Sequence, residues 1–240
     1  MSGFYDVHTH ILPHIDDGAK DMEETVKILG KEYQDGVRTI FATPHYRKNM
    51  FESSLEKIQQ QYELVKAEAS RVYPDLRILL GCEYHANMDM IDMLDRGGRP
   101  TMGGTRCVLT EFSERSDFRK IQERCYTLLT HGYEPIIAHA ERYPAISKNM
   151  DGLEQLVEMG VYIQMNADSI IGAEGFTMKR FCKKAMKRNL LHLIGSDAHN
   201  MKDRSPSMGK CAAYIEKVMG KEYMEKILIN NPREIFEEDR

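Results

Sequence analysis

FYDVHTHILPHIDDG, residues 4–18, decides how the chain is read. An apolar run carries histidines at alternate positions, His8 and His10, and then breaks into a turn that holds the adjacent carboxylates Asp16 and Asp17. Side chains at i and i+2 of a strand point to the same side. His8 and His10 therefore present two imidazoles together at the end of a short N-terminal strand, which is how a strand offers a metal two ligands. A half-buried edge strand with solvated histidines gives the same local pattern, so the rest of the chain decides.

The pattern recurs along the chain. A helix over 22–34 stops at Gly36, and a β-branched run over 37–42 ends at Thr43-Pro44-His45. A helix capped by Ser53 or Ser54 runs to about 72, and the strand 77–80 leads into Gly81-Cys82-Glu83. After a short helix over 88–95, the strand 106–110 ends at Glu111. A helix from Asp117 to about 130 precedes the strand 135–138, which delivers His139, Glu141 and Arg142. A helix over 153–159 is followed by the strand 161–165 and Asn166, then by a basic helix over 177–188. The last strand, 190–194, turns through Gly195-Ser196-Asp197-Ala198-His199, and helices over 207–218 and 223–229 end before Asn231-Pro232. Strands alternating with helices are the signature of successive βαβ units, so a barrel or near-barrel is expected.

Composition narrows the class. The chain has 240 residues, enough for one α/β barrel domain over 1–240. With 33 basic against 37 acidic residues, a net of −4 and no basic stripe interleaved with aromatics, nucleic acid is not an expected partner. No charged leader precedes the first strand and no run approaches about 18 apolar residues. A soluble, cytoplasmic protein without membrane insertion is expected. Cys82, Cys107, Cys125, Cys182 and Cys211 are scattered and form no CxxC pair, so they read as reduced thiols.

The metal-competent residues all fall at strand C-terminal ends, the face where barrel enzymes build active sites. They are His8, His10, Asp17, His45, Glu83, Glu111, His139, Asp197 and His199. One zinc or manganese ion takes about four to six ligands, so this set suits two or three ions, with a carboxylate such as Glu83 bridging. Adjacent cations acidify water and neutralise charge on phosphoryl oxygens. Arg142 and Arg204 lie in loops at the same mouth, where guanidinium groups can hold a phosphate bidentately. The spacing from Cys182 to Arg188 matches that of a cysteine phosphatase loop, but the intervening KKAMK lacks glycine and falls in a helix. The basic face of that helix reads as solvated, with docking of acidic partners the alternative. His14 and His85 lie near enough to the mouth to touch a substrate.

These stretches, DVHTH at 6–10, DDG at 16–18, ATPHYRKNMFE at 42–52, GCEYH at 81–85, EF at 111–112, IIAHAERY at 136–143 and IGSDAHN at 194–200, resemble the polymerase-and-histidinol-phosphatase (PHP) superfamily. Within it the closest resemblance is to the bacterial manganese-dependent protein-tyrosine phosphatases encoded with capsular and exopolysaccharide genes. The resemblance covers nearly the whole chain, including the closing NNPREIF. It implies a distorted seven-stranded TIM-like (β/α) barrel with a trinuclear site. His8, His10, Glu83 and Asp197 hold one ion; Glu83, Glu111 and His139 a second; Asp17, His45 and His199 a third. The implied metal is manganese, with iron, zinc or cobalt as substitutes. Arg142 and Arg204 match the substrate-phosphate arginines.

The implied reaction is attack on phosphorus by a hydroxide bridging the ions, without a phosphoenzyme. The implied substrate is a phosphotyrosine protein, the tyrosine-rich tail of a bacterial tyrosine kinase that controls capsule or exopolysaccharide synthesis. Two other readings stand beside it. One is a small-molecule phosphatase of the same superfamily, such as a histidinol-phosphate phosphatase. The other is a metal-stabilised regulator that binds a kinase tail without catalysis.

Overall fold

A computed structural model describes residues 3–237. Its strands are Phe4–Thr9 (β1), Val37–Ala42 (β2), His45–Tyr46 (β3), Arg77–Leu80 (β4), Glu83–His85 (β5), Cys107–Glu111 (β6), Glu134–Ile137 (β7), Tyr162–Asn166 (β8) and Leu193–Gly195 (β9). They form two sheets, β1-β2-β4 and β3-β5-β6-β7-β8-β9, with every pairing parallel. Thr9 bridges Ala198, the Ala198 carbonyl accepts from His10 N–H and the His8 carbonyl accepts from Asp197 N–H. The sheets thus curl until the turn after β9 meets the end of β1, and a parallel α/β half-barrel results.

The expected seven strands are observed as nine segments among the described residues, because two are interrupted. Thr43-Pro44 separates β2 from β3, and Pro44 has no N–H to give to a ladder. Gly81-Cys82 separates β4 from β5. Both breaks stay tied: Gly81 N–H donates to the Ala42 carbonyl and Glu83 N–H to that of Pro44. The interruption lets β3 and β5 re-aim His45 and Glu83 toward one point while the lower strands keep their packing.

The helices are Met22–Gln34 (α1), Leu55–Val72 (α2), Met90–Asp95 (α3), Phe118–Thr130 (α4), Pro144–Ser147 (α5), Met150–Glu158 (α6), Ala167–Ile171 (α7), Phe176–Lys187 (α8), Met208–Met219 (α9), Lys221–Glu225 (α10) and Asn231–Glu237 (α11). Side-chain caps set several starts. Asp21 accepts from Glu24 N–H, Ser54 from Lys57 N–H, Asp117 from Lys120 N–H and Asn149 from Gly152 N–H. The cap at Asn149 starts α6 three residues before the expected 153. Asn231-Pro232 does not end the chain's helical structure either. A π turn, Lys226–Asn230, passes directly into α11, where Pro232 occupies an early position that needs no N–H donor. Among the described residues no helix is long and apolar enough to cross a membrane.

Two layers of core hold the site. Ile28 and Leu29 of α1, Leu153 and Leu156 of α6 and Ile40 of β2 join one large buried cluster under the helices. Val7, Phe41, Leu109, Ile136 and Leu193, from both sheets, form a second with Phe236 of α11, whose ring stands 4.6 Å from Phe41. Gly195 is required where β9 crosses β1, since a Cβ there would lie 2.4 Å from the His8 Cβ.

One polar pair is buried between these layers. Asp6 of β1 accepts from the backbone N–H groups of His8 and Ser196, and the Glu32 carboxyl of α1 faces it from the helix side, with both Glu32 oxygens and Asp6 Oδ2 buried and otherwise unpartnered. Burial first, and then the charge on Asp6, push Glu32 well above the usual carboxylate range; burial raises Asp6 as well. Glu32 therefore keeps a proton that the unfolded chain loses above its ordinary pKa of about 4.3. The folded state binds more protons in that window, so stability falls as pH rises through it. Glu32→Gln, which preserves shape and a donor toward Asp6, is expected to flatten that slope and raise the melting temperature near neutral pH by a few degrees, about 2–4 °C per kcal/mol. Thermal melts of both proteins between about pH 5 and pH 8 check it, and parallel curves would refute a shared proton.

Candidate metal centre

The strand ends converge on one cavity of about 300 Å³. Asp17, His45, Glu83, Glu111, His139 and Asp197 line it, as do Arg142 and Arg204. His8, His10 and His199 are buried directly behind. Potential ligand atoms gather in three overlapping groups, within 4.8 Å of one another in each: His10, Asp17, His45 and His199; His8, His10 and Asp197; and His45, Glu83 and Glu111. Glu83 joins the second group, with Oε2 3.1 Å from His8 Nε2 and 3.2 Å from His10 Nε2. His139 meets its other oxygen, Oε1, at 2.8 Å. Relative to the implied assignment, His45 rather than His139 is grouped with Glu83 and Glu111, and His10 is shared between two groups.

Hydrogen bonds behind the site fix which imidazole nitrogen each ring turns toward the cavity. Gln164 Oε1 accepts from His139 N–H at 2.7 Å, which sets the orientation of that amide. The same oxygen, 3.2 Å from His8 Nδ1, then accepts its proton and leaves Nε2 with a lone pair. Asp16 Oδ2 does this for His10 Nδ1 at 2.8 Å, and the Asp197 carbonyl for His199 Nδ1 at 2.9 Å. Gln164 Nε2 donates to Asn166 Oδ1, and Asn166 Nδ2 to Asp197 Oδ2, so one amide chain connects His8, His139 and Asp197.

The electrostatics ask for cations. His8 Nε2 and His10 Nε2 stand 3.2 Å apart, and Glu83 Oε2 and His45 Nδ1, 2.9 Å from each other, and His199 Nε2 are buried with no well-aligned hydrogen bond. Buried polar atoms without partners are costly. Burial would lower His10, but the Asp16 and Glu83 carboxylates override it and hold this histidine up at about 10, so positive charge belongs at this point. Burial and then His10 pull His199 down to about 4, which keeps its imidazole neutral. Burial and the neighbouring Glu83 raise Glu111. Burial also opposes the charges on Glu83 and Asp197, yet His8 and His45 hold Glu83 well below the carboxylate range, and His8 and Arg204 hold Asp197 low. Imidazole and carboxylate donors with paired back sides fit divalent cations such as manganese, iron or zinc.

Two of these residues sit in strained backbone. His139 (φ 33°) and Asp197 (φ 55°) occupy the left-handed region, which costs a non-glycine residue of order 1–3 kcal/mol. Tyr143 braces the first, its hydroxyl accepting from Phe112 N–H and lying 3.1 Å from His139 Nδ1. The two arginines meet at the second: Arg142 Nη1 binds Asp197 Oδ2 at 2.9 Å and Arg204 Nη2 binds Oδ1 at 2.8 Å. Arg142 also reaches Glu174, at 2.9 Å.

Gln164, Asn166 and Glu174 had no functional reading in the sequence, while Asp16 was read only with its turn and Tyr143 only as part of a motif. Asp16 carried a signal in its place beside Asp17; Gln164 lies within, and Asn166 at the end of, a strand that delivers no ligand. Cys182 is fully buried inside α8, and burial raises its thiol, so the spacing to Arg188 forms no phosphate loop.

The sequence model of the family described as capsular polysaccharide synthesis, CpsB/CapC, matches residues 4–237. The chain is 36% identical to the tyrosine-protein phosphatase CpsB of Streptococcus pneumoniae over 96% of this chain and 97% of that protein. A solved structure from the pair YwqE of Bacillus subtilis and CpsB of Streptococcus pneumoniae, described as unique metal-dependent tyrosine phosphatases, superposes with a TM-score of 0.85 at 30% identity. It covers 92% of this chain and 89% of that one. The histidinol phosphate phosphatase of Lactococcus lactis, at 13% identity and TM-score 0.61 over 91% of this chain and 95% of that one, shares the fold.

Gln164→Met keeps the side-chain volume but removes the acceptor that orients His8. Manganese affinity is expected to fall about 10- to 100-fold with the fold intact. Calorimetric titration with manganese, with circular dichroism alongside, tests this; undiminished affinity would show that the amide does not set the tautomer.

Proposed function

The chain belongs to the capsular polysaccharide synthesis CpsB/CapC family, and we propose that it is a metal-dependent protein-tyrosine phosphatase whose substrate is the phosphorylated tail of a bacterial tyrosine kinase. The observation that carries this reading is the convergence of bare imidazole nitrogens and buried carboxylates beside two arginines anchored on one aspartate. We read the two curled sheets as one distorted seven-stranded barrel, with β2 continuing into β3 and β4 into β5, and residues 1–240 as one metallophosphatase domain.

His8, His10, Glu83 and Asp197 are the residues for one ion, Glu83, Glu111 and His139 for a second, and Asp17, His45 and His199 for a third, with manganese the metal. When bound, such ions supply Lewis acidity: they make water nucleophilic near neutral pH and neutralise charge on phosphoryl oxygens. The chain supplies the rest. Asp197 takes one N–H from each arginine, and a guanidinium has five, so Arg142 and Arg204 keep donors for phosphoryl oxygens. Burial opposes the charge on Arg142, but Asp197 and Glu174 more than offset it, so this arginine stays cationic. Tyrosine leaves with an ordinary pKa of about 10, so its departure needs less help from an acid than an alkoxide does.

The cavity favours an aryl ester. At about 300 Å³ it holds one amino-acid side chain, and Met50, Phe51 and Phe112 give its wall an apolar part. Phe51 is fixed by stacking on His45, with ring centroids 5.0 Å apart and planes 11° from parallel. The histidinol-phosphatase alternative draws on likeness of fold, and the intact ligand set argues against a regulator without catalysis.

After chelation, manganese is expected to restore phosphate release from a phosphotyrosine peptide, at a rate well above that from histidinol phosphate. Arg204→Ala should lower kcat by about a hundredfold. Phe51→Ala should raise KM for the peptide several-fold. A preference for histidinol phosphate would reject the tyrosine reading, and binding of a kinase tail without phosphate release would reject the enzyme.

A further inference from the structure

One cation at this mouth remains unassigned. Arg47 lines the cavity, yet among the described residues its side chain makes no ion pair or hydrogen bond. It stands two residues beyond His45, on the same strand face by alternation. Its charge reaches Glu111 and His85, and Glu111 belongs with His45 and Glu83 in a ligand group. Arg142 and Arg204 differ, since Asp197 holds both.

The backbone that carries Arg47 is built to keep it there. Arg47 N–H donates to the Phe51 carbonyl at 3.0 Å, and Phe51 N–H returns a bond to Arg47 at 2.8 Å. Asn49 takes the left-handed turn (φ 66°), with its N–H on Glu52, and Lys48 is tied to Asp89 at 2.7 Å. Every other charge of this rim hairpin is thus engaged within the protein. A guanidinium that no carboxylate hydrogen-bonds, on a backbone held in place at the entrance beside an apolar wall and with Glu111 near enough to feel its charge, suits an anion brought by the substrate.

We propose that Arg47 forms a second anion subsite, which binds an anionic group on a residue next to the phosphotyrosine, either a carboxylate or a second phosphate. The proposal rests on the tyrosine-phosphatase reading. It makes substrate choice depend on sequence around the target residue, through a side chain that belongs to neither the ligand set nor the phosphoryl-binding arginines.

Binding of peptides to the manganese-loaded full chain tests it, by fluorescence anisotropy. Each peptide carries a hydrolysis-resistant phosphonomethyl-phenylalanine, flanked by asparagine, by aspartate or by a second such residue. The anionic flanks are expected to bind about tenfold tighter than the neutral one, with the preferred flank identifying the anion. Arg47→Gln should bring that ratio close to one, and Arg47→Lys should retain part of it. An unchanged ratio in Arg47→Gln overturns the subsite. So does an equal loss for all three peptides, which would place Arg47 on the phosphoryl group itself. Failure of the manganese-loaded wild type to release phosphate from a phosphotyrosine peptide is a different result, and overturns the parent reading with it.

Discussion

The Nε2 atoms of His8 and His10 are held 3.2 Å apart against the buried carboxylate of Glu83, and positive charge shared there, as a proton or a metal ion, makes that arrangement favourable. Much of the molecule serves to keep it in place. Gln164 and Asp16 bind the Nδ1 atoms, so both rings keep Nε2 aimed at Glu83 and cannot turn away without losing a buried bond. Gly195 lets β9 pass close behind His8, and the curl of the sheets brings the turn after β9 onto the end of β1. Remove the need for a cation and these features have no common purpose.

The same demand explains where the backbone departs from regular structure. A continuous parallel strand fixes its side chains on alternating faces, which suits packing but not convergence. The breaks at Thr43-Pro44 and Gly81-Cys82 give His45 and Glu83 their own short strands, paired directly with each other. His139 and Asp197 turn into the left-handed region immediately after β7 and β9. Each deviation is anchored by neighbours: Tyr143 behind His139, and Asn166 with both arginines around Asp197. Strain of this kind persists where surrounding bonds over-determine the geometry.

The ligand positions were legible because their chemistry repeats with the topology. A histidine or carboxylate after each β-rich run is visible without coordinates, and the βαβ alternation says that those ends share a face. The supporting residues were not legible, for a physical reason. Gln164 and Asn166 act through hydrogen bonds to residues 25 to 156 positions away, and nothing local marks an amide in a strand as a partner for a distant imidazole. Asp16 and Asp17 look alike in sequence, yet one lies buried behind His10 while the other is half exposed in the cavity. The last helix escaped notice because Asn231-Pro232 reads as a stop, whereas the π turn before it delivers Pro232 at a position that tolerates it.

Strand alternation also separates reaction from recognition. His45 and Glu83 are paired in register, and the next residues on the same faces are Arg47 and His85, one step nearer the solvent. Glu111 is paired with His85, so one carboxylate of the ligand set lies at the boundary between the two tiers. The lower tier is buried among the other ligands, and a change there disturbs the charge balance of the whole cradle. In the upper tier Arg47 is carried by a hairpin closed on itself through two backbone bonds, so that side chain can change without moving the ligands beneath. A parallel barrel can therefore keep one phosphate-handling floor while the rim above it is fitted to different esters.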